Sequence, residues 1–184
     1  MTKARDLANG GFGLVLIKPS TVVNGTDNGK GTVSFSAASS VSLNNVFNAT
    51  YRHYKINFSA TNSASCTINI RFRASNADNS TASSYGVQYM FGTGTGSVQT
   101  ANESGAQAII GSIASSTQSG NASIEIFNPF NAVNTAFMSN NQESNGAAVV
   151  RMGYHNQAVS YDGFTITSST GNMTGTVSVY GFNN

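Results

Sequence analysis

Charge is what this chain has least of. Only 9% of its residues are Asp, Glu, Lys or Arg, against about 25% in ordinary soluble domains. Nine basic and seven acidic residues leave a formal net charge of +2, so no long-range field favours nucleic acid or an anionic membrane as a partner. Cysteine occurs once, at Cys66, which excludes the intramolecular disulfide framework of small secreted domains. Cys66 precedes Ile68, Ile70 and Phe72 at a spacing of two, and is read as a small buried hydrophobe, not a reactive thiol or metal ligand. No long apolar run is present either. Phe12 to Ile17 is broken by Gly13 and stops at Lys18-Pro19, whereas a bilayer span needs about 20 residues and a signal-peptide core about 7 to 15. The expectation is a protein made in a cytoplasm, without membrane insertion, that stays there until it assembles.

What takes the place of charge is Ser, Thr, Asn and Gly, residues that solvate a surface and favour turns over helix interiors. The 184 residues suit one globular unit with one core. Residues 1–30 differ from the rest: most of their charges surround one short apolar stretch and three Asn-Gly pairs, which are strong turn signals. They read as an extended N-terminal arm ahead of a domain over 31–184. Phe12, Leu14, Val15, Leu16 and Ile17 form its candidate assembly strand. Such a strand is stable only if it pairs with something, and another subunit is one candidate.

From Gly31 onward the pattern is strand and turn. Tyr54, Ile56 and Phe58 share one face of a segment over 51–60, and Cys66, Ile68, Ile70 and Phe72 share one face of the next. The polar residues 61–65 between them suit a hairpin loop. Arg71 and Arg73 alternate with the apolar set and read as the outward face of a strand, with a contact to a neighbouring subunit or an anionic ligand as the alternative. Further strands are expected at 32–36, 41–43, 86–91, 107–113, 122–127, 135–139, 147–154, 163–167 and 173–182. The best helical window, 101–116, is weakened by Gly105, Gly111 and three β-branched isoleucines. The fold class is therefore all-β, a two-sheet antiparallel sandwich of jelly-roll type.

Candidate chemistry is thin. His53 sits on a predicted strand and His155 at a strand end, neither with a second His or an acid at ligand spacing. Asp78, Glu103, Glu125, Glu143 and Asp162 are scattered, although a fold can bring two carboxylates to the roughly 5 Å a retaining glycosidase uses. Residues 76–79, Asn-Ala-Asp-Asn, carry one carboxylate, a poor start for a calcium site, and read as a turn. Gly92-Thr93-Gly94-Thr95-Gly96 lacks the Lys-Ser/Thr and the helix of a phosphate loop. Asn-x-Ser/Thr triplets at Asn48, Asn79 and Asn172 read as products of composition. No catalytic residue, cofactor or metal is assigned. Tyr85, Tyr89, Tyr154 and Tyr161 are candidate surface contacts, since aromatic faces stack on sugars; core or interface positions are the alternative.

Read from both ends, the sequence resembles small tail- and fibre-associated virion proteins of tailed bacteriophages, of the cyanophage and marine-phage type. The resemblance rests on Thr2-Lys3-Ala4-Arg5-Asp6-Leu7-Ala8, Leu16-Ile17-Lys18-Pro19-Ser20, Val23-Asn24-Gly25-Thr26, the run 41–47, Tyr51 to Ile56, and Arg71 to Ser75 with Asp78-Asn79. It continues through Phe127-Asn128-Pro129-Phe130, Gly163 to Ile166 and Gly175 to Gly181, so it spans nearly the whole chain. Such proteins share no known catalytic residue set. Related segments often end longer fibres, whereas this sequence opens on its own Met1, and the expectation is a module other than a fibre tip. The resemblance implies a non-enzymatic structural protein of the virion, made in the host bacterial cytoplasm. Its partners are itself, as a homotrimer, other capsid or tail proteins, and a host-surface glycan or protein. A capsid decoration (cement) protein is the alternative, and a glycan-cleaving spike enzyme a minor one.

Overall fold

Period-two alternation over most of the chain leaves it one way to bury its apolar residues, which is to lay two sheets face to face. The computed structural model describes residues 13–92, 97–114, 118–142 and 147–182. Its strands, in chain order, are β1 (Leu14–Ile17), β2 (Thr21–Val23), β3 (Thr26–Asp27), β4 (Thr32–Ala38), β5 (Ser40–Asn44), β6 (His53–Asn62), β7 (Cys66–Ala74) and β8 (Ala77–Asp78). They continue with β9 (Tyr85–Gly92), β10 (Val98–Gly105), β11 (Ala108–Ile113), β12 (Ser119–Phe127), β13 (Thr135–Gln142), β14 (Ala148–His155), β15 (Gly163–Ser168) and β16 (Met173–Phe182). The large sheet runs β10-β9-β14-β13-β12-β6-β16-β4-β3, with β1 beside the end of β16; the small sheet runs β11-β7-β15-β5-β2, with β8 beside β7. The protein is an all-β antiparallel sandwich, as the alternation predicts.

The core lies between the sheets. Tyr54, Ile56 and Phe58 of β6 point inward with Ile124 and Ile126 of β12, against Ile68, Ile70 and Phe72 of β7. Phe72 is its aromatic centre, with the rings of Tyr161 (5.4 Å), His155 (5.8 Å), Tyr85 (5.9 Å) and Phe137 (6.3 Å) around it. Cys66 is buried, as expected.

Three local expectations are corrected. Residues 61–65 do not close a hairpin: β6 belongs to the large sheet and β7 to the small one, so this link crosses the sandwich. The loop is short enough for either route, and the pattern carries no information about which sheet receives the next strand. The part of 101–116 not expected as strand includes residues 101–105 of β10, whose alternation is faint because it is an edge strand exposed over most of its length. Residues 14–30 are not an arm outside the sandwich. β1 pairs with β16 of the same chain, from Leu14 opposite Phe182 to Ile17 opposite Val179, while β2 edges the small sheet and β3 the large one. The polar residues that suggested an arm build tight corners: Asp27 Oδ1 accepts the N–H groups of Gly29 and Gly31, both at 3.1 Å, and Lys18 pairs with Asp27 at 3.5 Å. Phe12 and the rest of 1–12 lie outside the described residues.

Two crossings from the small to the large sheet repeat one sequence, Asn-x-Thr-x-x-x-Tyr, at Asn48 to Tyr54 and at Asn79 to Tyr85. Each Asn side chain accepts the N–H two residues on, Thr50 at 2.9 Å and Thr81 at 3.1 Å. Each Tyr hydroxyl, six residues on, donates to that Asn's carbonyl at 2.9 Å. The corner is thus clamped from both ends by side chains, which gives the triplets at Asn48 and Asn79 a structural role beyond composition.

Candidate functional site

The tyrosines expected at the surface divide. Tyr85 and Tyr161 are fully buried and unable to stack on any ligand; their hydroxyls are needed inside. Tyr85 takes the Phe72 N–H at 2.9 Å besides its bond to Asn79. Tyr161 lies 2.5 Å from His155 Nε2 and accepts from Asn79 Nδ2 at 2.8 Å. His155 Nδ1 faces the Ser84 carbonyl at 3.1 Å. A carbonyl only accepts, so Nδ1 carries the proton, and because burial disfavours the charged ring Nε2 is left to accept from Tyr161. Burial lowers the His155 pKa and raises those of Tyr54, Tyr85 and Tyr161. The set is a satisfied core network. Tyr89 is half-buried on the interior face, under the Arg151 guanidinium at 5.4 Å. Tyr154 alone of the four is exposed; its ring lies on Gly86, where a Cβ would meet Cε1 at 2.7 Å.

The arginine pair also divides. Arg71 is half-buried on the outer face of the small sheet, as alternation implies, but Arg73 is only 9% exposed. Its Nε donates to Asn44 Oδ1 (2.9 Å), its Nη1 to Thr165 Oγ1 (2.8 Å) and Ser42 Oγ (3.2 Å). It also pairs with Asp78 and donates to the Asn76 carbonyl. Asp78 is brought there by a two-residue turn, Ser75-Asn76, with φ of 53° and 67°, the double positive φ of a type I′ hairpin. The turn expected at 76–79 lies instead at 75–76, with Ala77–Asp78 as its return strand, and the Asp78 carboxylate serves Arg73.

What remains open is the outer face of the large sheet. Register sets its side chains in transverse rows. One runs Thr176, Ser59, Asn121, Gln142; the next runs Ser178, Asn57, Ser123, Asn140 and then turns apolar at Val150 and Met90. A third passes Lys55 and Glu125, opposite each other, to Met138 and Met152. A shallow groove of 590 Å³ lies over the first two rows, and a second of 480 Å³ over Met90, Val150 and Met152. The apolar half is exposed, with Met152 at 56%, Tyr154 at 53% and Met90 at 50%. The polar half offers hydroxyl and carboxamide groups, donors and acceptors without charge. Lys55 and Glu125 are the charged side chains that the described strands place on this face. Leu14 and Leu16 of β1 are exposed at its far side and Ile17 is buried. Sequence reasoning missed this face because it is assembled from eight or more strands distant in the chain.

Among the described residues no three His, Cys, Asp or Glu side chains gather as a metal site, and no helix is long and apolar enough to cross a membrane. His53 is half-buried and meets the Phe127 ring edge-on at 5.2 Å. Glu143 and residues 93–96 of the glycine-rich loop lie outside the described residues. No protein-family model matches the chain, and no curated protein matches it. Among solved structures a β-glucanase of Bacillus licheniformis is similar at 11% identity, over 86% of this chain and 82% of that one, with a TM-score of 0.27. A likeness at that level carries no argument about activity.

Proposed function

We propose that this protein is a non-enzymatic structural module of a tailed-bacteriophage virion, a tail- or fibre-associated oligomeric β-sandwich on the particle exterior. The observation that supports this reading is the outer face of the large sheet. It combines an exposed apolar patch at Met90, Met152 and Tyr154 with an uncharged field of Ser, Thr, Asn and Gln, a composition suited to contact with another surface. The groups most apt for chemistry, His155, Arg73 and Asp78, are held in hydrogen-bonded networks that support the fold. A host-surface glycan or protein, or a neighbouring virion protein, is the expected partner of the face. The test is copy number, by quantitative mass spectrometry of purified particles of the encoding phage. A few to a few dozen copies per particle is the expected result. Near-equal stoichiometry with the major capsid protein replaces the tail assignment by capsid decoration, and absence from particles overturns the virion reading.

A further inference from the structure

Two open sheets have four edges, and an edge strand is a template for another chain unless something blocks it. Three of the four carry a blocking device. β2 has three residues. β11 breaks register between Ile109 and Gly111, a bulge that spoils further pairing. At the far end of the large sheet, β3 has two residues and β1 runs straight into Lys18-Pro19. The fourth edge, β10, is neither short nor bulged among its described residues; its one charge, Glu103, lies on the inward face opposite Val87, where the Tyr89 hydroxyl meets it. It keeps register with β9 over eight consecutive pairs, Val98 opposite Gly92 to Gly105 opposite Tyr85, and contains no Lys, Arg or Pro.

From this contrast we infer that β10 is a self-association edge, pairing antiparallel with β10 of a second copy across a two-fold axis. The strand is self-complementary. Its one charge, Glu103, receives the Tyr89 hydroxyl at 3.3 Å from the neighbouring strand. A two-fold through Ala101 sets Glu103 opposite the second copy's Gln99 and Thr100 opposite its Asn102, so like charges never face each other. An axis normal to the sheet keeps both outer faces on one side. The apolar patches of two copies, including Val98, exposed at 72%, then join into one surface. Such a contact closes at two copies, whereas three-fold symmetry cannot pair a strand with itself. The inference concerns the isolated chain and stands apart from the virion reading.

The test is sedimentation equilibrium of the full chain at tens of micromolar. The expected mass is twice 19.1 kDa. Thr100→Lys with Asn102→Lys sets four lysines around the two-fold and weakens the dimer at least about a hundredfold, since facing like charges cost several kcal/mol, with the fold kept as read by circular dichroism. Asn102→Lys alone gives the same direction should the double variant fail to fold. Thr21→Lys, on the blocked β2 edge, leaves the dimer intact. A monomer, a trimer, or a dimer indifferent to lysines on β10 overturns the inference, and none of these results touches the copy number that tests the virion assignment.

Discussion

The sandwich has two outer faces, and they use the same residue types to opposite ends. On the small sheet Ser42, Asn44 and Thr165 are at most 5% exposed and all bond Arg73. On the large sheet Asn57, Ser59, Asn121 and Asn140 stand in solvent. The difference comes from one buried charge and the hairpin that folds Asp78 back onto it. A guanidinium can be held away from water only if its donors are met, so the polar groups around it are spent on the fold. Uncharged side chains on an open sheet have no such duty and remain available to a partner.

The largest effect that separates the faces is expected at Arg73. Arg73→Met takes the cation from the Asp78 carboxylate and a donor from Asn44 Oδ1 and the Asn76 carbonyl, leaving Ser42, Thr165 and Asp78 only their bonds to one another, which is expected to cost about 3 to 5 kcal/mol in urea unfolding; a loss below about 1 kcal/mol, the scale of a surface pair, would show that the network is ornamental. Next come the two clamped corners. Tyr85→Phe leaves the Phe72 N–H unmatched in the core and the part-buried Asn79 carbonyl without its donor, and is expected to lose about 1 to 3 kcal/mol, with Tyr54→Phe losing less because both of its bonds are only part-buried.

A third effect is pH-dependent. The folded pKa of His155 lies below its unfolded value of about 6.5, so the unfolded chain binds the extra proton first. The neutral ring's contribution is present in full above that value and lost as pH falls through the lowered folded pKa. His155→Gln should therefore flatten the fall in melting temperature over this acidic range, and an unchanged slope counts against a ring held neutral by burial. The smallest effects belong to the large face. Asn57→Ala, Ser123→Ala and Asn140→Ala are each expected within about 0.5 kcal/mol of the parent. Any of them costing as much as Tyr85→Phe removes the contrast between the faces.

Alternation made the sheets legible, because a half-buried strand must write its two faces into every second residue. It placed Cys66, Ile68, Ile70 and Phe72 inward correctly. It assigned Arg73 to the right side yet could not reveal its burial, since what covers that side is a hairpin formed five residues later with strands from elsewhere in the chain. The repeat Asn-x-Thr-x-x-x-Tyr was present as text. It reads as composition because Asn and Thr are so abundant, and only the tyrosine six residues on distinguishes it. Tyr85 and Tyr161 read as contact or core residues alike for a related reason: an aromatic with a polar tip fits a surface or a hydrogen-bonded core equally well until its hydroxyl's partners are known.

The β1–β16 pairing has a bearing on how the chain comes to be folded. β16 lies inside the large sheet, between β6 on one side and β4 with β1 on the other. During synthesis β1 and β4 therefore wait, with their partner positions vacant, until β16 has left the ribosome. Contacts this distant in sequence close slowly, and the interval exposes β4 and β1 as unpaired edges. Truncation just before Met173 would remove the strand that joins β4, β3 and β1 to the rest of the large sheet, and the shortened product is expected in the insoluble fraction.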